Sequence, residues 1–151
     1  MRSEKMKAAK VKAGNYCAYR ERTHQEVRDK LYELGLHRDE VEEVLTELIM
    51  EDFVNEERFA KSYARGKFNL KRWGKVKIAY ELKRRKISNY CIDQAMLEIP
   101  PDDYDNVIVH IIEQKKKSYS GDIFKVKNKI ARYLINKGYE SELVWDKLKN
   151  Y

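Results

Sequence analysis

A dense run of basic side chains in the middle of the chain is the strongest chemical feature of the sequence. Between residues 65 and 86, ten basic residues stand against a single acid, Glu81. The ten are Arg65, Lys67, Lys71, Arg72, Lys75, Lys77, Lys83, Arg84, Arg85 and Lys86. Cations at this density repel one another, so the run costs stability unless an anionic partner neutralises it. This chemistry favours the phosphates of a nucleic acid or an acidic protein surface as the partner.

Trp73 lies within this run and has two interpretations. Its indole could stack on a nucleic-acid base, as aromatic platforms do at about 1–3 kcal/mol per base. It could instead pack between helices, which is the interpretation that we favour. Just upstream, Arg58, Lys61 and Arg65 follow a spacing of three to four residues. That spacing predicts that they share one exposed helix face and add to the binding surface.

The net charge is distributed unevenly along the 151 residues. Residues 1–51 carry 10 basic and 11 acidic side chains, a net charge of −1. Residues 52–100 carry 12 and 6, a net charge of +6, and residues 101–151 carry 10 and 8, a net charge of +2. The middle third is therefore the expected electrostatic centre.

Patterns typical of catalysis or metal binding do not stand out in the sequence. The three histidines have no metal-ligand spacing to one another or to Cys17 and Cys91, and there is no glycine-rich phosphate loop. We therefore expect no enzymatic activity, no cofactor and no metal. The charged N-terminal residues lead into no apolar stretch, and no apolar run approaches the roughly 20 residues of a membrane span. This predicts a cytoplasmic protein without a membrane partner.

An internal repeat organises the apolar residues. Five apolar positions recur twice more, at offsets of 51 and then 52 residues. The three sets are Val27, Leu31, Leu36, Val41 and Leu45; Ile78, Leu82, Ile87, Ile92 and Met96; and Ile130, Leu134, Tyr139, Val144 and Leu148. The first two and the last two positions of each set are four apart, which places each pair on one helix face. The repeat therefore predicts three copies of a helix-turn-helix.

Helix start and stop signals agree with this repeat. Gly35 and Gly138, each followed by an apolar residue, suit the left-handed end of a helix. Lys86 occupies the same position in the middle copy, where a left-handed conformation costs about 1 kcal/mol relative to glycine. Residues typical of a helix start precede several of the predicted helices. They are Thr23 with Glu26, Asn55 with two following acids, Ser88, and Pro101 with two following acids.

One further helix is predicted before each pair, at about residues 5–20, 56–69 and 103–117. The chain is thus expected to be all-α, with repeats at residues 1–51, 52–100 and 101–151. A three-helix unit of about fifty residues buries little core alone, so neighbouring units are expected to stack. We therefore predict three tandem three-helix repeats in an elongated, curved array.

The middle of the chain resembles the RecX family of recombination regulators. The resemblance is carried by residues 53–60, Phe-Val-Asn-Glu-Glu-Arg-Phe-Ala, by residues 73–78, Trp-Gly-Lys-Val-Lys-Ile, and by residues 81–82, Glu-Leu. Residues 19–23, 30–36 and 134–139 are similar to the first and third repeats of that family. The chain departs from the pattern at Lys86, where glycine is usual, and at Lys77, where arginine is common. Neither departure removes positive charge.

The resemblance implies a fold, a partner and a function. Proteins of this family are built from tandem three-helix repeats, bind the RecA recombinase filament on DNA, and suppress its ATP hydrolysis and strand exchange. They have no enzymatic activity of their own. We accordingly expect a monomer that contacts the filament and single- or double-stranded DNA. The expected contact residues are Arg58, Lys61, Arg65, Lys67, Lys71, Arg72, Trp73, Lys75, Lys77, Lys83, Arg84 and Arg85.

Three alternative functions remain open at the level of sequence. The first is a sequence-tolerant nucleic-acid-binding protein that acts through the basic middle repeat alone. A helix-turn-helix transcription factor is weaker, because no recognition helix or dimerisation segment stands out. An enzyme is the weakest of the three.

Overall fold

Helices account for all the regular structure in residues 3–151, which are the residues that the computed structural model describes. These residues form nine α-helices and no strand. The helices are α1 (Glu4–Tyr19), α2 (His24–Glu33), α3 (Arg38–Met50), α4 (Glu56–Lys71), α5 (Lys75–Arg84), α6 (Asn89–Met96), α7 (Pro101–Ser118), α8 (Ile123–Asn136) and α9 (Ser141–Leu148). Each helix packs chiefly against the other two helices of its own consecutive set of three. The predicted all-α fold of three tandem three-helix repeats is confirmed.

Local capping interactions explain where several helices begin. The Thr23 hydroxyl accepts the backbone N–H of Glu26, whose carboxylate accepts the N–H of Thr23, so both halves of the capping box are present. The side chains of Asn55 and Ser88 accept N–H groups in the first turns of α4 and α6. Pro101 occupies the first turn of α7. These predicted start signals are confirmed.

Left-handed residues end the second helix of each repeat. Gly35 and Gly138 have φ angles of 94° and 103°, and Lys86 has a φ of 63°. The following apolar residue, Leu36, Ile87 or Tyr139, donates its N–H to a carbonyl five residues earlier and is buried. Lys86 therefore adopts the same left-handed turn as the two glycines despite its Cβ.

The apolar positions of the repeat form the core. Fourteen of the fifteen recurring positions are buried, and the remaining one, Met96, is half-buried. The buried residues divide into two clusters, one within α1–α3 and one that runs continuously through α4–α9. The second and third repeats therefore share a core, whereas the first repeat has its own.

Backbone contacts join the second repeat to the third. The N–H groups of Gly74 and Val76 donate to the carbonyls of Lys137 and Gly138 at 2.8 and 2.9 Å. The first turn of a helix has N–H groups without intrahelical partners, and here the α8–α9 turn satisfies two at the start of α5. In the other direction, the Tyr139 hydroxyl donates to the Arg72 carbonyl at 2.9 Å. The two repeats are therefore joined by backbone hydrogen bonds as well as by their shared core.

The surface area of the protein indicates an elongated shape. Its accessible surface is 9565 Å², compared with roughly 8,100 Å² for a compact monomer of this mass. The excess follows from repeats that contact only their neighbours. No helix in the described part of the chain combines the length and the apolar character needed to cross a membrane.

We predict that the radius of gyration in solution exceeds that of a compact domain. A globular chain of this length has a radius of gyration of roughly 15 Å. Small-angle scattering should give a clearly larger value together with an extended pair-distance distribution. A value near 15 Å would contradict the tandem arrangement in solution.

Candidate nucleic-acid interface

The basic residues of the second repeat are arranged around a row of aromatic rings. Tyr63 stands edge-on to Trp73, with ring centroids 6.5 Å apart. The ammonium groups of Lys67 and Lys77 lie 4.8 and 4.4 Å from the Trp73 ring centroid, and the Arg85 guanidinium lies 4.9 Å from that of Tyr63. We call these five residues, Tyr63, Lys67, Trp73, Lys77 and Arg85, the cation–aromatic face. Helices α4 and α5 and the loop between them all contribute to it.

Ring contacts hold these cations in place without neutralising them. A cation over an aromatic face gains about 0.5–1 kcal/mol at an exposed site and keeps its full charge. Glu81 is the acid beside the face, and it receives hydrogen bonds from Arg85 and, at 3.5 Å, from Arg84. Burial raises the pKa of Tyr63, with the Arg85 charge opposing it. The face therefore stays strongly cationic at neutral pH.

Trp73 packs within the second repeat, as its favoured interpretation predicted. Its indole is half-buried against the shared core and contacts Tyr63, Lys67 and Lys77. That packing interpretation is confirmed. Stacking of a base on its remaining exposed surface stays a prediction.

Several cations of the run have no ion pair within the described chain. The side chains of Lys71, Arg72, Lys83 and Lys86 are exposed. The described ion pairs include none to Lys67, Lys71, Arg72, Lys75, Lys77, Lys83 or Lys86. Unpaired cations offer an external anion their full attraction, because no internal partner must be displaced.

The three cations predicted to line one exposed face of α4 are all ion-paired inside the protein. Lys61 pairs with Glu57 at 3.1 Å, and Arg65 pairs with Glu98 at 2.5 Å. Arg65 is exposed, whereas Arg58 and Lys61 are half-buried, so the predicted face of Arg58, Lys61 and Arg65 is only partly exposed. A contact from these residues to DNA or recombinase would have to compete with the internal carboxylates.

Arg58 joins the first repeat to the second. Its Nε lies 2.7 Å from both carboxylate oxygens of Glu21, and its Nη1 lies 3.1 Å from Asp52. The hydrogen bond to Glu21 raises the pKa of Arg58. His24 lies 3.2 Å from Glu56 across the same junction, and burial lowers the pKa of His24. Reversing the charge of Arg58 would therefore disturb the junction as well as any binding surface.

Lys75 belongs to the junction between the second and third repeats. Its backbone N–H donates to the Tyr104 hydroxyl at 2.9 Å, and its ammonium lies 4.7 Å from the Tyr104 ring centroid. The Tyr104 hydroxyl in turn donates to Glu140. Burial, followed by this hydrogen bond, raises the pKa of Tyr104. The structure thus places Lys75 away from the cation–aromatic face.

The described residues contain no group of three or more His, Cys, Asp or Glu side chains arranged to hold a metal ion. Taken together, the fold and the basic surface define a helical-repeat protein whose middle repeat presents a cationic face lined with aromatic rings.

Three family models match the chain in the order of its repeats. They are described as the first, second and third three-helix domains of RecX, and they match residues 9–48, 55–96 and 102–148. The chain belongs to the RecX family. The resemblance carried by residues 53–60, 73–78 and 81–82 is confirmed.

Curated relatives and solved structures agree with this assignment. The chain is 29% identical over 143 residues to "Regulatory protein RecX" of Bacillus cereus (strain B4264), and 28% identical to that of Bacillus mycoides (strain KBAB4). Each alignment covers 94% of this chain and 53% of the relative, so the chain spans about half the length of these relatives.

The crystal structure of RecX from Lactobacillus salivarius superposes with a TM-score of 0.89 at 26% identity, covering 97% of this chain and 96% of that one. A second crystal structure of regulatory protein RecX superposes with a TM-score of 0.86 at 21% identity, covering 98% and 73%. The second likeness supports the fold alone.

Proposed function

We propose that this protein binds the RecA recombinase filament on DNA and inhibits its ATPase and strand exchange, and so restrains recombination and DNA repair. The observation that carries the proposal is the cation–aromatic face on a RecX-family repeat. Its cations lie over aromatic rings, and among the residues that the structure describes only Arg85 has a carboxylate partner, Glu81. A cationic face whose side chains are already ordered loses little conformational entropy when it binds an anion.

The repeat architecture supports a mechanism based on occupancy rather than catalysis. Repeats two and three share one core and the Gly74–Gly138 junction, so they would present their surfaces in a constant relative position. Several weak contacts on one rigid body add through a high effective concentration. A monomer could then hold neighbouring filament subunits together and slow their turnover, with no cofactor. Action on DNA-bound recombinase would place the protein in the cytoplasm.

A sequence-tolerant nucleic-acid-binding function is the second candidate. Cations interleaved with half-exposed rings are the combination that single-stranded nucleic acid recognises without base-specific contacts. In this alternative the same face would bind DNA, but the recombinase would not be needed.

A recombinase assay separates the two candidates. Wild-type protein titrated into a DNA-stimulated RecA ATPase and strand-exchange reaction should inhibit both. The Lys67→Gln/Lys77→Gln variant, which keeps the aliphatic stems over Trp73, should require about tenfold more protein, the equivalent of roughly 1.4 kcal/mol. Lys5→Gln/Lys12→Gln, on exposed lysines of the first repeat, removes the same charge and should inhibit nearly as well as wild type.

A fluorescence measurement connects this loss to the face itself. Trp73 and Trp145 are the two tryptophans, so in a Trp145→Phe background the emission reports Trp73. Emission should change on addition of a single-stranded oligonucleotide. Tight DNA binding with ATPase and strand exchange unaffected at saturating protein would overturn the regulator proposal and favour the general binding function.

A further inference from the structure

We propose that the third repeat carries a second binding site, on the outer face of α8 and the adjoining end of α7, which takes the backbone of single-stranded nucleic acid. The inference goes beyond recombinase regulation, because it would hold for a general nucleic-acid-binding protein as well. It rests on charge segregation, on a concavity whose described lining has no acid, and on two aromatic side chains, Tyr119 in that lining and the exposed Phe124 in the first turn of the same helix.

Charge is strongly segregated within the third repeat. Residues 113–137 contain eight basic and two acidic side chains, a net charge of +6. The rest of the repeat, residues 101–112 and 138–151, contains two basic and six acidic side chains, a net charge of −4. The third repeat as a whole has a net charge of only +2, yet its segment 113–137 has the same net charge, +6, as the entire second repeat.

Helix α8 presents these cations on one face. Lys125, Lys129 and Arg132 are four and three residues apart, so they lie on one side of the helix and span roughly 10 Å along its axis. The opposite side, Val126, Ile130 and Leu134, is buried in the shared core. The cations therefore have a rigid support and point to solvent.

A concavity of about 540 Å³ lies along this cationic face. Its lining includes Lys125, Lys129 and Arg132 together with Tyr119, Ser120 and Asn128, and no described acidic side chain lines it. Hydroxyl and amide groups beside three cations are the donors that phosphate oxygens accept from.

The two acids of the segment are already engaged. Asp122 caps α8 by accepting the N–H of Phe124 at 2.7 Å, and Glu113 pairs with Lys116 at 3.6 Å. The described ion pairs include none to Lys125, Lys129 or Arg132. The site therefore keeps its cationic charge.

Aromatic side chains favour a single strand over a duplex or an acidic protein. Phe124, in the first turn of α8, is 76% exposed and lines a neighbouring concavity that shares Asn128 with this one. Tyr119 is half-buried, with the ammonium of Lys129 4.5 Å from its ring centroid. An unstacked base can lie on such rings, whereas the bases of a duplex are occupied by one another.

Oligonucleotide binding without recombinase tests this site. The probe is a fluorescein-labelled oligo-dT, and its anisotropy is measured over a range of salt concentrations. Lys125→Gln/Lys129→Gln/Arg132→Gln should weaken binding at least tenfold at low salt. It should also reduce the log–log salt slope by about 2, since each contact to a single strand contributes about 0.7. The matched control, Lys5→Gln/Lys12→Gln/Arg38→Gln, removes three exposed charges from the first repeat and should shift affinity by less than about twofold.

A second variant tests the preference for single strands. Phe124→Ala should weaken oligo-dT binding severalfold while leaving binding of a duplex of equal length unchanged. All of these side chains are exposed, so circular dichroism and melting temperature should match wild type.

Equal affinities of the α8 variant and the first-repeat control would overturn the proposal. So would competition by polyglutamate as effective as that by oligo-dT at equal charge. The oligonucleotide assay contains no recombinase. A negative result for α8 would therefore leave the ATPase test of the second repeat unaffected, and a negative ATPase result would leave the α8 site unaffected.

Discussion

Gly74→Ala is expected to lower the free energy of unfolding by roughly 2–4 kcal/mol, although it adds a single methyl group. A Cβ at residue 74 would lie 2.3 Å from the carbonyl carbon of Gly138 and 2.4 Å from the Tyr139 nitrogen. These are backbone atoms and cannot rotate away, so the junction between α5 and the α8–α9 turn must separate. Separation would also break the 2.8 Å hydrogen bond from Gly74 to Lys137.

The same junction leaves no room for a side chain at Gly138, which faces Gly74 and Lys77. Gly138 has a φ of 103°, and a Cβ there would lie 2.3 Å from the Cβ of Lys77 and 2.8 Å from its nitrogen. Gly138→Ala should therefore destabilise the fold through both backbone strain and overlap.

Gly66→Ala supplies a matched control for these substitutions. Gly66 lies inside α4, and a Cβ there would meet no atom within 4 Å. Alanine in a helix interior is favoured over glycine by about 0.5–1 kcal/mol, so this variant should be slightly more stable than wild type. Urea unfolding of all three variants gives the comparison. A wild-type midpoint for Gly74→Ala would mean that the two repeats do not pack through this contact.

Stability is expected to fall steeply as pH rises from 10 to 12. Burial raises the pKa of Tyr139 to about 12. The folded state therefore favours the neutral phenol. Its contribution is fully present below the ordinary tyrosine pKa near 10 and is lost as pH rises through the folded value. Raising the pKa of Tyr139 from near 10 in the unfolded chain to about 12 in the folded protein corresponds to roughly 2–3 kcal/mol in the free energy of unfolding. The raised pKa of Tyr104 acts in the same direction.

Tyrosine-to-phenylalanine variants isolate this effect. Tyr139→Phe should cost about 1 kcal/mol at neutral pH, through the lost hydrogen bond to the Arg72 carbonyl. It should also flatten the decline between pH 10 and 12, measured by urea unfolding at each pH. Tyr80→Phe, which replaces a tyrosine that is 62% exposed, should leave both the neutral stability and the decline unchanged. An undiminished decline in Tyr139→Phe would show that other groups cause the alkaline unfolding.

The two junctions between neighbouring repeats are held by different kinds of contact. Repeats two and three meet through backbone hydrogen bonds and a shared apolar core, whereas repeats one and two meet through the half-buried Arg58–Glu21 and His24–Glu56 contacts and through Val54, which is buried in the core of the first repeat. Coulombic attraction between charged groups is screened as salt rises, so the junction that contains Arg58–Glu21 should be the more salt-sensitive of the two. The two proposed binding faces both lie on the apolar-joined pair of repeats.

The sequence by itself determined the helices, their ends and the repeat. The capping box of Thr23, the left-handed turn at Lys86 and the apolar positions four residues apart all act within a few residues. Their physical causes are backbone hydrogen bonding and the 3.6-residue period, and both are visible in a short window. The family motifs, being contiguous, were visible for the same reason.

Only the tertiary structure decided which cations remain available to a partner. Arg58 pairs with Glu21, which is 37 residues away in the sequence, and Arg65 pairs with Glu98, which is 33 residues away. Helical spacing, which predicted a shared exposed face for these residues, carries no information about such pairs. The cationic face of α8 was hidden for a related reason, because the net charge of a whole repeat averages over surfaces that point in opposite directions. The direction in which a side chain points depends on which helix face the core buries, and for α8 that face is the one packed against α7 and α9.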